Sequence, residues 1–421
     1  MERARSPKDL FLSFASLGLR PALLRAVADL GFTTPTPVQI EAIPPAMAGR
    51  DVLASASTGS GKSAAFGLPL IEALADRERG TTRALILAPT RELAAQIKDH
   101  LRELARHTNL RIEAVFGGVN FNAQVATFKR GTEIVVATPG RLQDHLQQRT
   151  ASLDHVEYLV IDEADRMLDM GFLPAVRKLL RVMPARRQTL FFSATIPPEI
   201  ARLAGEMLRD PVRVNLAPTA VPAARITQHV YTIDQLRKAD LLVKLLEDNR
   251  IFSAIAFTRT KSRANRLAAT LDKHQIPTDR IHGDRSQAQR TRALADFKRG
   301  KLRVLVATDI AARGIDIVDL GHVINFDVPM VPEDYVHRVG RTARASASGE
   351  AITFVAREEE PLFAQIERAL GGRIDREKTP ELPPAAPRPL VPVHAGPNRQ
   401  QRRTTVAVAA RGAAGNQKAP A

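Results

Sequence analysis

The sequence predicts an α/β protein built from two tandem, doubly wound parallel sheets, and three observations predict it. Short runs rich in Val, Ile and Ala alternate with helical patterns; the alternation occurs twice, on either side of a proline-interrupted segment; and 421 residues exceed the roughly 250–300 that one hydrophobic core sustains. In chain order the first set of runs is Asp51–Ala54, Ala84–Ala88, Arg111–Phe116, Glu133–Ala137, Tyr158–Ile161 and Thr189–Phe192. Runs that are apolar throughout, each followed by a helix, belong to parallel sheets covered on both faces. Ser253–Phe257, Arg280–His282, Arg303–Ala307, His322–Phe326 and Ala351–Val355 repeat the pattern. Between the sets, Asp210–Arg225 carries Pro211, Pro218 and Pro222 and no helical period, which suits an extended linker that permits relative motion. From Thr379 onward Pro, Ala, Gly and Arg dominate, with six basic residues against Glu381 alone, so a disordered basic tail is expected. The expected organisation is an N-terminal region at 12–40, a first domain at 41–212, a linker at 213–225, a second domain at 226–376 and a tail at 377–421.

Composition narrows the partners. Lysine and arginine total 61 against 45 acidic residues, a net charge of +16, which favours a polyanion such as RNA, DNA or an anionic membrane surface. No cysteine is present, which excludes disulfides and thiolate metal sites and suits a reducing, cytoplasmic location. No stretch approaches the ~20 apolar residues of a membrane span, and Met1–Leu12 lacks the apolar run of a signal peptide. A membrane role is therefore not expected.

The chemistry begins after the first predicted strand, at Ala56-Ser57-Thr58-Gly59-Ser60-Gly61-Lys62-Ser63. Glycines let such a loop wrap with backbone N–H groups toward phosphate oxygens. Lys62 then reaches the β and γ phosphates of ATP, and the Ser63 hydroxyl ligates Mg²⁺ at the start of a helix. Tyr158–Ile161 ends in Asp162-Glu163-Ala164-Asp165, which puts carboxylates at the carboxyl end of a buried strand, where α/β sheets bind ligands. Asp162 suits Mg²⁺ held through its water shell, and Glu163 suits a base for the attacking water.

These residues resemble the DEAD-box helicases of superfamily 2, whose other motifs follow in order from Phe14 to Val355. Gly31-Phe32-Thr33-Thr34-Pro35-Thr36-Pro37-Val38-Gln39 is similar to the Q motif, with Phe14 in the place of the family's isolated aromatic. The resemblance implies that Phe14 stacks on adenine and that Gln39 reads its edge, with Phe32 alongside; packing of Phe14 within the first helical segment is the alternative. Pro89-Thr90-Arg91-Glu92-Leu93, Gly117-Gly118 and Thr138-Pro139-Gly140-Arg141 match the motifs implied to hold an RNA backbone. Ser193-Ala194-Thr195 matches the motif implied to couple hydrolysis to strand separation, together with Asp165 and His337; a small-residue strand end is the other reading of Ser193–Thr195. In the second half, Gln287 with Arg290, and Thr308, match RNA-contacting positions, while Gly314 and Asp316 match positions facing the nucleotide. His337-Arg338-Val339-Gly340-Arg341-Thr342-Ala343-Arg344 matches the last motif, whose two arginines, Arg341 and Arg344, are implied to be arginine fingers. They can share a face if this stretch is helical.

The resemblance implies two RecA-like domains and an ATP-dependent RNA helicase that uses Mg²⁺, with ribosomal precursors or mRNA decay assemblies as settings. Departures are few: Ser57 where many relatives carry Gln, Ser63 for Thr, and Ala343 for Gly, which bears on the aim of Arg344. Ser13–Leu19 and the basic tail look most like the bacterial RhlE-type subgroup. Two rival readings are a DNA-dependent motor, separable by comparing RNA and DNA stimulation of the ATPase, and a non-catalytic RNA clamp or annealing scaffold, separable by any ATPase assay.

Overall fold

The computed structural model describes residues 13–57, 59–216, 226–312, 320–342 and 349–384. In the first lobe, β1 (Val52–Ser55), β2 (Ala84–Leu87), β3 (Ile112–Val115), β4 (Ile134–Ala137), β5 (Tyr158–Ile161), β6 (Gln188–Ser193) and β7 (Val212–Asn215) form one sheet in the order β3-β4-β2-β5-β6-β1-β7. The second lobe holds β8 (Ile226–Thr232), β9 (Ala254–Thr258), β10 (Thr278–Ile281), β11 (Val304–Thr308), β12 (His322–Asn325), β13 (Gly349–Val355) and β14 (Arg376–Glu377). Its order is β10-β11-β9-β12-β13-β8-β14. Shifting each number in the first order by seven reproduces the second, so the two lobes share one topology.

Because successive strand residues point to opposite faces, each sheet divides its apolar side chains between two cores. Val52, Ala54, Ile86, Val136 and Val160 fill one face of the first sheet, while Leu53, Leu85, Leu87, Val135 and Ile161 fill the other. Helices cover both, which is why these strands carry no polar alternation. The second lobe repeats this with Ile255, Phe257, Leu305 and Val323 in one core and Val230, Ala351, Val355 and Phe363 in another. Every ladder in both sheets is parallel, so the loops after the strands all gather at the carboxyl edge.

Three strands lie outside the sequence expectation. Residues 213–215, assigned to the linker, continue β7, which pairs with β1 through Val52–Val212 to Ser55–Asn215. It is an edge strand with one buried side chain, Val214, so it reads as irregular in sequence. Strand β8 was missed because Thr227, Gln228 and His229 break its apolar run, yet it lies between β13 and β14. Glu377, assigned to the tail, belongs to β14, and Thr379 Oγ1 donates to the Thr232 carbonyl at 3.1 Å. Residues 217–225 of the expected linker and most of the expected tail lie outside the described residues.

Candidate nucleotide and nucleic-acid site

The phosphate loop leaves β1 at Ser55 and enters the helix Lys62–Leu74. Gly59 and Gly61 take φ of 79° and 95°, a left-handed conformation that costs any residue with a Cβ. At Gly61 a Cβ would also lie 2.5 Å from Gln39 Nε2. The buried Lys62 ammonium donates to the Ala56 carbonyl at 3.0 Å, folded back into the loop. Ser60 Oγ donates to the Ser57 carbonyl at 2.8 Å, closing the turn, and Ser63 occupies the second helical position. Thr58 lies outside the described residues.

Gln39 is buried and binds the loop from behind. Its Oε1 accepts from Thr36 N at 2.9 Å and its Nε2 donates to the Gly61 carbonyl at 3.1 Å. In this arrangement its amide braces the phosphate loop, leaving one N–H and one lone pair for anything else. Phe14 is 5% exposed and packs in the lobe 1 core, its ring 6.5 Å from that of Phe32. This is the packed alternative: the ring is part of the core here and is not an open platform for a base.

Asp162 follows β5 and is buried. Burial pushes its carboxyl up to about 6, with Lys62 pulling it down and Glu163 pushing it up. Its Oδ1 accepts from Glu163 N at 3.0 Å, which leaves lone pairs for the water shell of a cation. Glu163 takes φ 52° and ψ 54°, an uncommon conformation for a non-glycine residue and a local strain of the kind found at functional turns. Asp165 ties this turn to β6. Its Oδ2 accepts from Thr195 N at 2.9 Å and Thr195 Oγ1 at 3.1 Å, while its own N–H donates to Ser193 Oγ at 3.1 Å.

From there the chain of contacts crosses to the second lobe. Arg166, beside Asp165, bonds Asp334 at 3.2 Å, with both side chains nearly buried. His337 faces the same crevice as Arg166, Asp334 and Arg341. Burial is the largest cause that lowers its pKa to about 3, with Arg166 and Arg341 opposing a charge there and Asp165 favouring it. It is therefore neutral. The helix Pro332–Val339 ends before Arg341, which sits on the turn after Gly340. Arg344, Ala343, Gly314 and Asp316 lie outside the described residues.

The strand-end loops of lobe 1 converge on a second site. Thr90, Arg91, Gly117, Thr138, Gly140 and Arg141 line one groove, with Pro89 in its wall and Gly283 and Arg290 opposite. Thr90 caps its helix by accepting from Leu93 N at 3.2 Å, and Pro139 opens the helix Pro139–Gln147 behind Thr138. Gly118 has φ 81°, and a Cβ there would lie 1.9 Å from Arg91 Nη1, so the glycine makes room for the guanidinium. Burial lowers the Arg91 pKa, and the neighbouring Arg290 and Arg141 lower it further. Three guanidinium groups held this close suit a polyphosphate chain. Thr308 is buried at the end of β11.

Sequence reasoning missed the partner of Gln287 and Arg290. Glu92 accepts from both across the lobes, from Gln287 Nε2 at 2.9 Å and pairing with Arg290 Nη2 at 2.9 Å. Its signal was its place beside Arg91, whereas Asp334 had none, being one acid among several on a helix.

Comparison with known proteins gives matches over both lobes. A family model described as DEAD/DEAH box helicase matches residues 36–203, and one described as Helicase conserved C-terminal domain matches 237–346. Curated relatives include DEAD-box ATP-dependent RNA helicase CshA of Bacillus cereus, 41% identical over 88% of this chain and 70% of its own length. The protein of the same name in Bacillus subtilis is 40% identical over 88% of this chain and 75% of its own. Among solved structures, Saccharomyces cerevisiae Dbp5 bound to RNA and ADP BeF3 superposes with a TM-score of 0.78 at 29% identity, covering 86% of this chain and 95% of that one. Mss116p bound to ssRNA and AMP-PNP gives 0.79 at 28% identity, over 88% and 80%. A DEAD box protein from Methanococcus jannaschii gives 0.51 at 38% identity, over 87% and 99%. The RhlE-type subgroup finds no support, since these relatives carry the name CshA.

Proposed function

The chain belongs to the DEAD-box ATP-dependent RNA helicases, and from that premise we propose how its own residues divide the work. It is an RNA-dependent ATPase that couples ATP binding and hydrolysis to local RNA unwinding or remodelling of RNA–protein assemblies. In our reading Ser57, Thr58, Gly59, Ser60, Gly61 and Lys62 hold the triphosphate, and Gln39 acts mainly by bracing Gly61. A Mg²⁺ ion would be held by Ser63 and Asp162, taking its remaining ligands from phosphate and water; it would supply charge neutralisation at the phosphates. Glu163 accepts the proton of the attacking water, and Arg341 and Arg344 complete the site from the other lobe, with Gly314 and Asp316 facing the nucleotide.

RNA runs through the groove of Pro89, Thr90, Arg91, Gly118, Thr138, Pro139, Gly140 and Arg141, meeting Gln287, Arg290 and Thr308 on lobe 2. Contacts of this kind are to the backbone, so little sequence preference and a steep salt dependence are expected. The better superposition on RNA- and nucleotide-bound relatives, despite their lower identity, supports taking this arrangement as the closed one. We further propose lobe bounds extended to take in β7 and β14, a cytoplasmic location, and ribosomal precursor or mRNA decay assemblies as the setting.

One observation carries the division of labour: Asp165 is bonded to Thr195 and Ser193 within lobe 1, and its charge acts on His337 of lobe 2. A change at the Asp162–Glu163 turn thereby reaches the other lobe through one side chain. Coupling then follows from differential affinity, because ATP and RNA both favour the state in which the lobes meet. The test is Glu163→Gln, which is expected to slow turnover by about 10²–10⁴-fold and to trap a long-lived complex with RNA and ATP. Full turnover in that variant would remove Glu163 from the mechanism.

A further inference from the structure

Helix Phe121–Lys129 follows the glycine pair of the groove and was assigned no role by its sequence. Its residues Phe121, Gln124 and Phe128 fall at helical spacing on one side. That side meets Arg141 and His145, one turn apart on helix Pro139–Gln147. The His145 ring stacks on Phe121 at 4.1 Å between centroids and tilts against Phe128 at 5.2 Å. Arg141 lies over Phe121 at 5.6 Å.

At the centre is Gln124, a side chain only 6% exposed. Its Nε2 donates to the Phe116 carbonyl at 2.9 Å, at the entrance to Gly117-Gly118. A carbonyl can only accept, so this contact fixes the amide: nitrogen toward Phe116, oxygen away. Oε1 then accepts from Arg141 Nη1 at 3.1 Å and faces His145 Nε2 at 3.3 Å, which fills both of its lone pairs. His145 therefore donates from Nε2, and its Nδ1 lies 2.8 Å from Thr150 Oγ1, whose single proton is shared between Nδ1 and the His145 carbonyl at 3.1 Å. Burial, and then Arg141, hold the His145 pKa below its ordinary value, which keeps this neutral tautomer.

We propose that Gln124, oriented by His145, is a positioning residue that ties the glycine pair to Arg141, so that two RNA-gripping loops act as one rigid unit. This rests on the reading above that Arg141 holds an RNA phosphate. An arginine aimed by fixed acceptors loses little freedom when it binds. Without Gln124 the guanidinium keeps the Val119 carbonyl at 3.2 Å, Asp144 at 3.6 Å and the Phe121 ring but loses its most buried acceptor, so it is held less firmly and each contact with the strand must order it further.

Gln124→Met tests this, since it keeps the volume and removes all three hydrogen bonds. The RNA concentration for half-maximal ATPase stimulation is expected to rise about tenfold, as for loss of one charge-assisted contact, with turnover at saturating RNA within about twofold. The slope of log affinity against log salt is expected to fall by about 0.7, one single-strand phosphate contact. Gln124→Glu keeps the acceptors for Arg141 and His145 but sets a carboxylate oxygen against the Phe116 carbonyl, so it is expected to leave the slope low; full recovery of the slope would show that the tie to the glycine pair is not needed. Arg141→Ala run in parallel separates the failures. If Arg141→Ala itself leaves RNA demand unchanged, the underlying site reading fails. If Arg141→Ala weakens binding and Gln124→Met does not, or if the two add fully in the double variant, the positioning role is overturned. A fall in melting temperature with loss of turnover at saturating RNA would likewise overturn it, making Gln124 a packing residue.

Discussion

The two lobes share one strand order, and each begins a helix with a lysine after the strand at the same sheet position: Lys62 after β1 and Lys238 after β8. What surrounds the two ammonium groups differs. Lys62 has one backbone acceptor, the Ala56 carbonyl, in a loop whose glycines keep the space open. Lys238 is wholly buried; it donates to the Phe326 and Phe354 carbonyls at 2.9 Å each and pairs with the Glu359 carboxylate, with Asp327 at 3.9 Å. Glu359 thus supplies from within lobe 2 the anion that a nucleotide would bring to lobe 1. The same frame makes a proposed binding site where donors are left over and a structural core where they are matched.

Swapping the two lysines for methionine should separate these roles. Lys62→Met is expected to lower RNA-stimulated ATP turnover by about 10²-fold or more while leaving the melting temperature of the nucleotide-free protein near the parent's. Lys238→Met is expected to destabilise the fold by about 3–5 kcal/mol, because it leaves a buried carboxylate with a broken network, as read by denaturant unfolding. Equal loss of stability in both variants would break the comparison.

A smaller effect follows from the unmatched charge at Asp162. Its folded pKa of about 6 lies above that of an unfolded aspartate, so the folded state is favoured below roughly pH 4 and that advantage is lost as pH rises through about 6. Asp162→Asn should therefore stabilise the nucleotide-free protein at pH 8, by on the order of 1–3 kcal/mol, and do nothing at pH 4. In the parent, ATP turnover should decline below about pH 6 as protonation competes with the cation. His337 works in the other direction on stability. With its pKa lowered to about 3, the folded state resists protonation, so this site loses stability as pH falls from about 6.5 toward 3.

The smallest expected effect is at the contact between the lobes. Arg166 and Asp334 pair at 3.2 Å, and a double-mutant cycle on RNA affinity with a bound ATP analogue should give a coupling of about 1 kcal/mol. No coupling would mean that the pair plays no part in holding the lobes together.

Much of the site was legible in the sequence because its parts are local. A loop with glycines at 59 and 61 ahead of Lys62, or carboxylates directly after the apolar run Tyr158–Ile161, declares its geometry within a few residues. Gln39 shows where this stopped: its type and place were readable, but its grip on the Gly61 carbonyl depends on a helix meeting a loop 22 residues away. The pairing of Glu92 with Gln287 and Arg290 spans almost 200 positions, and no spacing rule reaches that far.

The sequence alone determined the fold class, the phosphate loop, the acidic turn and the basic character of the groove, since burial on both faces and glycine conformations are set by neighbouring residues. Tertiary structure alone decided that 213–215 and 377 are strand, that Phe14 packs inward, and that Lys238 is matched by Glu359 while Lys62 has the Ala56 carbonyl. These outcomes depend on which strand edges and side chains meet across the sheet, a free-energy balance between distant groups that no local pattern encodes.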